Sequence, residues 1–143
     1  MRIELESRRE GVVKVPTELI GACATRTAFD YQVRISFTDQ GPGGSVRVQG
    51  ELVIETPIAL TDAAGNRAFL APGCGAALAP LLDLFTRVVT EVEVTGLGTL
   101  LLGFDDGTRL RVDPDPDYES WNLTGSGLDP VLVGPGGEVD WHH

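Results

Sequence analysis

The sequence has few of the residues on which most enzyme chemistry depends. Its only histidines are His142 and His143 at the C-terminal end, which are either native residues or the remnant of a purification tag. It also has no serine in a nucleophile elbow, no zinc-binding pattern and no nucleotide-binding fingerprint. Most hydrolytic, metal-dependent and redox classes of enzyme therefore lack their necessary groups. We expect a protein that is not an enzyme and that holds no metal or cofactor.

The two cysteines, Cys23 and Cys74, match neither a metal-ligand spacing nor the density of a disulfide scaffold. We therefore expect free thiols in a reducing compartment. Cys74 lies just before a predicted helix, where the positive end of the helix dipole can lower the pKa of a thiol. A nucleophilic cysteine normally works with a histidine base. Because both histidines are at the C-terminal end, a structural thiol is the favoured interpretation of Cys74.

Long apolar runs are missing as well. No run approaches the ~18 residues that a membrane-spanning helix requires, and residues 1–11 lack the apolar core of a signal peptide. Ten arginines against the single Lys14 are typical of a GC-rich bacterial coding sequence. Since 143 residues is an ordinary size for one domain, we expect a single cytoplasmic domain over residues 1–143.

Positive charge is scarce in the second half of the chain. Residues 72–143 carry twelve acids and three bases, whereas residues 1–71 carry nine acids and eight bases. The net charges are therefore −9 and −1, within a total of −10. A negative field repels nucleic acid and anionic membranes, and it attracts cations or a basic protein. We expect no binding to nucleic acid or to membranes.

Two segments have the alternation of a β-hairpin and resemble each other, which predicts an internal duplication over about 20–55 and 88–123. In both segments apolar residues alternate with polar ones, and a glycine-containing turn precedes the return strand. The matching apolar positions are Val33, Ile35, Phe37, Val46 and Val48 in the first segment and Leu100, Leu102, Phe104, Leu110 and Val112 in the second. Each hairpin follows another alternating segment, so each unit has three to four strands.

Two further patterns, a repeated glycine-rich turn and one stretch with helical spacing, complete the prediction of the fold. The tetrapeptide Gly-Pro-Gly-Gly occurs at 41–44 and 134–137, each time as a turn between apolar-alternating runs, and the second turn joins a last hairpin. One stretch, about 75–87, has the apolar spacing of an amphipathic helix that begins near Pro80. Its apolar positions are Ala77, Leu78, Leu81, Leu82 and Phe85. We expect an α+β fold, in which this helix covers one face of a curved, mostly antiparallel sheet.

The C-terminal third resembles a family of small uncharacterised bacterial proteins, a domain of unknown function. The family signature is Tyr-Glu-X-Trp-X-Leu followed by Pro-Gly-Gly, together with a Phe-X-Asp-Gly hairpin. The residues that fit it are Tyr118, Glu119, Trp121, Leu123, Pro135, Gly136 and Gly137, with Phe104, Asp106 and Gly107 in the hairpin. The resemblance implies membership of that family and no activity.

Six acids lie within fifteen residues, from Asp105 to Glu119. The run Asp113, Asp115, Asp117 has the spacing with which a calcium loop begins. The match then fails, because Tyr118 stands at the sixth position in place of glycine and a threonine stands at the twelfth in place of glutamate. A solvated acidic loop is the favoured interpretation, and we expect no strong calcium binding.

Glu119 is the carboxylate most open to a chemical role. If residues 118–123 form a strand, Glu119, Trp121 and Leu123 share one face; Trp121 and Leu123 should point to the core, so Glu119 is at least partly buried. A buried carboxylate needs hydrogen bonds or a cation, and backbone N–H groups or an arginine, Arg109 or Arg111, would supply them. The favoured interpretation is that this pairing stabilises the sheet edge.

The leading hypothesis is a non-enzymatic protein-binding module, of the immunity or antitoxin type, for a basic protein partner. Its candidate binding residues are Asp105, Asp113, Asp115, Asp117, Glu119 and Trp121. The alternative is a small-ligand-binding protein or simple enzyme that uses carboxylates near Glu119 in a cleft between the two strand units. A pocket lined by Trp121 favours the alternative, and a flat acidic face favours the first hypothesis. Both a monomer and a homodimer are compatible with the sequence.

Overall fold

Short strands make up most of the computed structural model, which describes residues 15–40, 42–95, 97–137 and 139–141. Within these ranges the chain forms eleven strands and four 3₁₀ segments. The strands are β1 (Cys23–Phe29), β2 (Val33–Gln40), β3 (Val46–Ile54), β4 (Ile58–Thr61), β5 (Arg67–Leu70), β6 (Val89–Val94), β7 (Leu100–Phe104), β8 (Arg109–Val112), β9 (Trp121–Ser126), β10 (Val131–Val133) and β11 (Val139–Trp141). The 3₁₀ segments are Thr17–Leu19, Pro42–Gly44, Gly75–Leu84 and Pro135–Gly137. None of these helical segments is long and apolar enough to cross a membrane.

The strands form two sheets. The first has six strands in the order β1-β2-β3-β9-β10-β11, and the second has five in the order β5-β4-β8-β7-β6. All of these neighbouring strands pair antiparallel. The prediction of a mostly antiparallel sheet is therefore confirmed, and the β-rich arrangement is broadly consistent with the expected α+β class.

The inner faces of both sheets contribute to one hydrophobic core. Side chains alternate between core and solvent because successive residues of an extended strand point to opposite faces. Phe37 on β2 and Phe104 on β7, the matched aromatic positions of the two predicted hairpins, are both buried. Of the ten predicted core positions only Val46 is exposed. It lies at the first residue of β3, beyond the register shift between Asp39 and Gln40.

The two sheets are hydrogen-bonded to each other where β1 and β6 begin. The Ala24 N–H donates to the Arg87 carbonyl at 2.9 Å, and the Val89 N–H donates to the Ala22 carbonyl at 2.9 Å. Cys23 thereby pairs with Val88. This joint holds the end strand of the five-stranded sheet against the end strand of the six-stranded sheet.

The predicted helix at about 75–87 is shorter and has 3₁₀ geometry, from Gly75 to Leu84. Its buried residues are Leu78, Leu81 and Leu84, so the apolar face has a spacing of three residues. Three residues that were assigned to the buried stripe, Ala77, Leu82 and Phe85, are exposed. Pro80 lies in the middle of the segment, where its missing N–H and its ring are incompatible with a regular α-helix.

Strand pairing differs from the prediction at the end of the second unit. The strands β1-β2-β3 and β6-β7-β8 lie in different sheets, and β9, expected to extend the second unit, pairs instead with β3 of the first. The internal duplication itself stays a prediction. A hairpin of β4 and β5 was missed, because residues 58–70 were assigned no strands. Its turn is closed by Asp62, whose carboxylate accepts the N–H groups of Ala64 and Asn66.

The two Gly-Pro-Gly-Gly turns and the last hairpin are confirmed. Gly43 and Gly136, the third residues of the two tetrapeptides, have φ values of 76° and 70°, which favour glycine. The first residue of the first tetrapeptide lies outside the described residues. The second turn joins β10 to β11, which pair antiparallel.

Candidate functional site

The six predicted binding residues do not form one face. Four of them lie in the loop between β8 and β9, residues 113–120, which we call the acidic loop; they are Asp113, Asp115, Asp117 and Glu119. Asp105 lies in the turn between β7 and β8, at the opposite end of β8. Trp121 is the first residue of β9 and is 1% exposed. The five acids among the predicted binding residues are therefore divided between the two ends of β8.

Trp121 has a structural position. Its indole is buried, as the shared face with Leu123 predicted, and its Nε1–H donates to the Gly98 carbonyl at 2.9 Å. A buried indole normally has its N–H paired in this way. Trp121 therefore fills the core and is not available to line a ligand pocket.

The expectation that Glu119 is partly buried and paired with Arg109 or Arg111 is wrong. Glu119 is exposed, and it lies outside β9, which begins at Trp121. Ser120 is fully buried, so the alternation that would have turned Glu119 inward stops before it. The two arginines pair with other acids, described below. Among the described residues the Glu119 carboxylate has no hydrogen-bond or ion-pair partner.

Asp115 holds the acidic loop in one conformation. Its Oδ1 accepts the N–H groups of Asp117 at 2.8 Å and of Tyr118 at 3.0 Å, a turn that aspartate characteristically closes. Its own N–H donates to Ser120 Oγ at 2.8 Å, and its carbonyl accepts the Gly136 N–H at 2.6 Å. The loop is thus attached to the turn before β11. The Asp115 carboxylate is used in that structure and is not a free binding group.

The negative charge of Asp113, the first residue of the acidic loop, is compensated by its neighbours. Arg111 Nη2 lies 3.0 Å from Asp113 Oδ1, and Thr99 Oγ1 donates to the same oxygen at 2.9 Å. The hydrogen bond from Arg111 lowers the pKa of the Asp113 carboxyl, burial opposes this effect, and the bond from Thr99 adds to it. Asp113 is therefore ionised at neutral pH with its charge compensated.

The acidic loop presents three side chains to solvent at its tip. Tyr118 is 73% exposed, and Asp117 and Glu119 on either side of it are exposed. Neither carboxylate has a partner among the described residues. In the described part of the chain no three His, Cys, Asp or Glu side chains converge as metal ligands. The absence of strong calcium binding stays a prediction, which calorimetric titration would test.

The two cysteines are free thiols, as expected, with Cys23 partly buried and Cys74 exposed. Cys74 precedes the 3₁₀ segment that replaces the predicted helix. The two terminal histidines lie outside the described residues.

A second surface, missed in the sequence, covers the outer face of the five-stranded sheet. The strand register places two rows of side chains across this face. We call it the arginine face; its rows are Phe69, Ala59, Arg111, Leu101 and Glu93, and Arg67, Thr61, Arg109, Gly103 and Glu91. The alternation of Arg109 and Arg111 was visible in the sequence, but the neighbouring rows could not be assigned without the β4–β5 hairpin.

A glycine makes room for an ion pair across the arginine face. Glu91 on β6 reaches across β7 to Arg109 on β8, with 3.0 Å between Glu91 Oε1 and Arg109 Nη2. A Cβ at Gly103, which lies between them, would be 2.6 Å from Glu91 Oε1. Beside this ion pair is a hollow of about 300 Å³, lined by Arg67, Phe69 and other residues of the face.

The chain matches one known protein family along most of its length. The model of a family of unknown function, DUF6188, matches residues 15–142. No curated protein and no solved structure matches the chain. The expectation of a domain of unknown function, drawn from the C-terminal motifs, is confirmed: the chain belongs to the DUF6188 family.

Proposed function

We propose that this protein is a non-enzymatic binding module of the immunity or antitoxin type, whose acidic loop docks on a basic protein partner. The observation that carries the proposal is the tip of the loop. There an exposed tyrosine, Tyr118, lies between two carboxylates, Asp117 and Glu119, that have no partner among the described residues.

The anchoring of the loop supports a binding role. A flexible loop loses conformational entropy when it is ordered at an interface, and that loss weakens binding. Here Asp115 and Ser120 already hold the loop through bonds to its own backbone and to Gly134 and Gly136. Tyrosine supplies a large contact area with few rotatable bonds, and it is enriched among the residues that dominate binding energy. Tyr118 is therefore the expected centre of the interface.

Charge favours a basic partner. Asp113 is compensated by Arg111 and Asp115 is occupied by backbone N–H groups, so Asp117 and Glu119 are the acids of this loop left to attract a cation. Asp105 lies beyond the far end of β8, whose four residues span about 13 Å of extended chain. The screening length is about 8 Å at physiological salt, so Asp105 contributes less to recognition than the loop acids.

The alternative, a ligand site or simple catalytic site around Glu119, has less support. It needs a cleft that Glu119 and Trp121 both line. Trp121 is buried in the core and Glu119 is exposed outside the strand, so the two side chains do not share an environment.

Quantitative affinity capture from the native cell tests the proposal, with four purified forms of the protein as bait. Wild type and Tyr31→Ala, a control at a 92% exposed tyrosine in the β1–β2 turn, should both retain one cationic protein. Tyr118→Ala and the double variant Asp117→Asn, Glu119→Gln should retain about 30-fold less, the loss expected for a residue worth ~2 kcal/mol. Equal recovery with all four baits would contradict the proposal.

Association and dissociation rates with the captured partner distinguish long-range electrostatic attraction from direct contact at the interface. Raising salt from about 0.05 M to 0.5 M shortens the screening length from roughly 14 Å to 4 Å and should slow association. The Asp117, Glu119 double variant should reproduce this effect at low salt, whereas Tyr118→Ala should mainly speed dissociation. An association rate that is indifferent to salt would mean that the acidic charge plays no part in recognition.

A further inference from the structure

We propose that the arginine face is a binding site for a small amphipathic anion. Its carboxylate or phosphate pairs with Arg67, and its flat apolar body lies against Phe69. The hollow adjoins the acidic loop, whose first residue, Asp113, also lines it, but binding of the anion does not depend on the proposed protein partner.

Arg67 is the available cation of the face. Arg109 is paired with Glu91 and Arg111 with Asp113, each at 3.0 Å. Arg67 has no hydrogen-bond or ion-pair partner among the described residues. Arg67 is therefore an arginine without an acidic partner beside a hollow, where its guanidinium can pair with an anion.

The strand register places a second arginine, Arg109, in the same row as Arg67. Thr61 pairs with Arg67 on one side and with Arg109 on the other, so the three residues form one row across β5, β4 and β8. Neighbouring strands are ~4.8 Å apart, which places the two arginine backbones ~10 Å from each other. A guanidinium has five N–H donors in a planar fork that matches a carboxylate or phosphate. Arg67 would bind the anion directly, and Arg109 would compensate the charge of Glu91, which would otherwise repel the anion.

The adjacent row supplies the apolar surface. Phe69 is 76% exposed and pairs with Ala59, whose small side chain leaves space beside the ring. An exposed aromatic ring next to a small residue offers a flat surface on which another ring can stack. The hollow has a volume of about 300 Å³, which is at the lower end for small-molecule sites. These dimensions fit a single substituted ring with one anionic group.

Titration followed by ¹H–¹⁵N correlation spectra tests the site, with benzoate and phenyl phosphate as probes. Either probe should shift the amides of β4, β5 and β8 in a saturable manner, with a dissociation constant on the order of 1 to 10 mM for so small a ligand. Benzamide, which lacks the charge, and inorganic phosphate, which lacks the ring, should each bind at least 10-fold more weakly. Inorganic phosphate that binds as tightly as phenyl phosphate would overturn the amphipathic assignment.

Two substitutions and a matched control locate the site. Arg67→Gln and Phe69→Ser should each weaken probe binding about 10-fold or more, and the spectra themselves verify that the fold is retained. The control is Arg26→Gln, because Arg26 is also exposed and also lacks a partner among the described residues, but it lies on β1 of the other sheet. It should bind the probes as wild type does. Equal affinities in all four proteins, or shifts that do not saturate, would overturn the proposal.

Discussion

The two sheets have similar inner faces and different outer faces. Inside, each sheet presents aliphatic residues and a buried phenylalanine to a common core, to which the six-stranded sheet also contributes Trp121. Outside, the centre of the six-stranded sheet carries ordinary polar residues such as Ser36, Thr38 and Gln49, with the ion pair of Arg34 and Glu51 among them. The five-stranded sheet carries instead three arginines, an exposed phenylalanine and a hollow. Inner faces are constrained by packing, so an unusual outer face is the better indication of a binding role.

The largest expected effect is a loss of stability, and it tests whether the inner faces of the two sheets are packed equally well. Phe37→Ala and Phe104→Ala should each lower the free energy of unfolding by about 3 to 5 kcal/mol, because each removes a buried ring and leaves a cavity. Chemical denaturation of both variants measures this. A loss below about 1 kcal/mol for either variant would show that its sheet packs more loosely than the other.

Two glycines, one in each sheet, should respond differently to alanine. A Cβ at Gly125 on β9 would overlap with the Gln49 carbonyl oxygen, and the Gly125 φ of +146° already disfavours a side chain. A Cβ at Gly103 would meet Glu91, a flexible side chain that can move away. We expect Gly125→Ala to cost about 2 to 4 kcal/mol of unfolding free energy and Gly103→Ala about 1 kcal/mol. Urea denaturation compares them, and equal losses would contradict this reading of the two sites.

Acid should weaken the five-stranded sheet through Asp113. Its pKa is lowered in the folded protein, so its contribution to stability is complete above its ordinary value of 3.8 and is lost as the pH falls through the lower folded value. The difference in stability between wild type and Asp113→Asn should therefore be constant above about pH 5 and should shrink below pH 3.8. Urea denaturation from pH 2 to 7 gives this difference. If it stays the same down to pH 2, the Arg111 hydrogen bond does not stabilise the fold.

The smallest expected change in stability concerns one exposed ion pair on the outer face of each sheet. Probe binding by the same variants distinguishes the two faces. Arg34→Gln and Arg109→Gln each remove an exposed ion pair, and each should alter the free energy of unfolding by less than about 1 kcal/mol. Only Arg109→Gln should weaken the binding of benzoate or phenyl phosphate, by several-fold. Thermal denaturation and the probe titration measure the two effects. Equal binding by both variants would remove Arg109 from the arginine face as a functional group.

Part of the candidate site was predictable and part was not. The solvated acidic loop followed from Asp113, Asp115 and Asp117, because closely spaced acids interrupted by prolines are rarely buried. The environment of Glu119 was predicted wrongly, because the strand was expected to begin near residue 118 and begins at Trp121. The buried Ser120 breaks the alternation, and no local pattern revealed that its side chain bonds Gly134.

Local patterns in the sequence were enough to identify several strands and turns. An alternation of period two identified the β2–β3 and β7–β8 hairpins, and the positive φ that only glycine adopts easily identified the Gly-Pro-Gly-Gly turns. The pairing of distant strands, β9 with β3 and β4 with β8, became visible only in the folded protein. Such pairings depend on how the whole core packs and not on neighbouring residues, and they alone bring Arg67 and Arg109 to the two sides of Thr61.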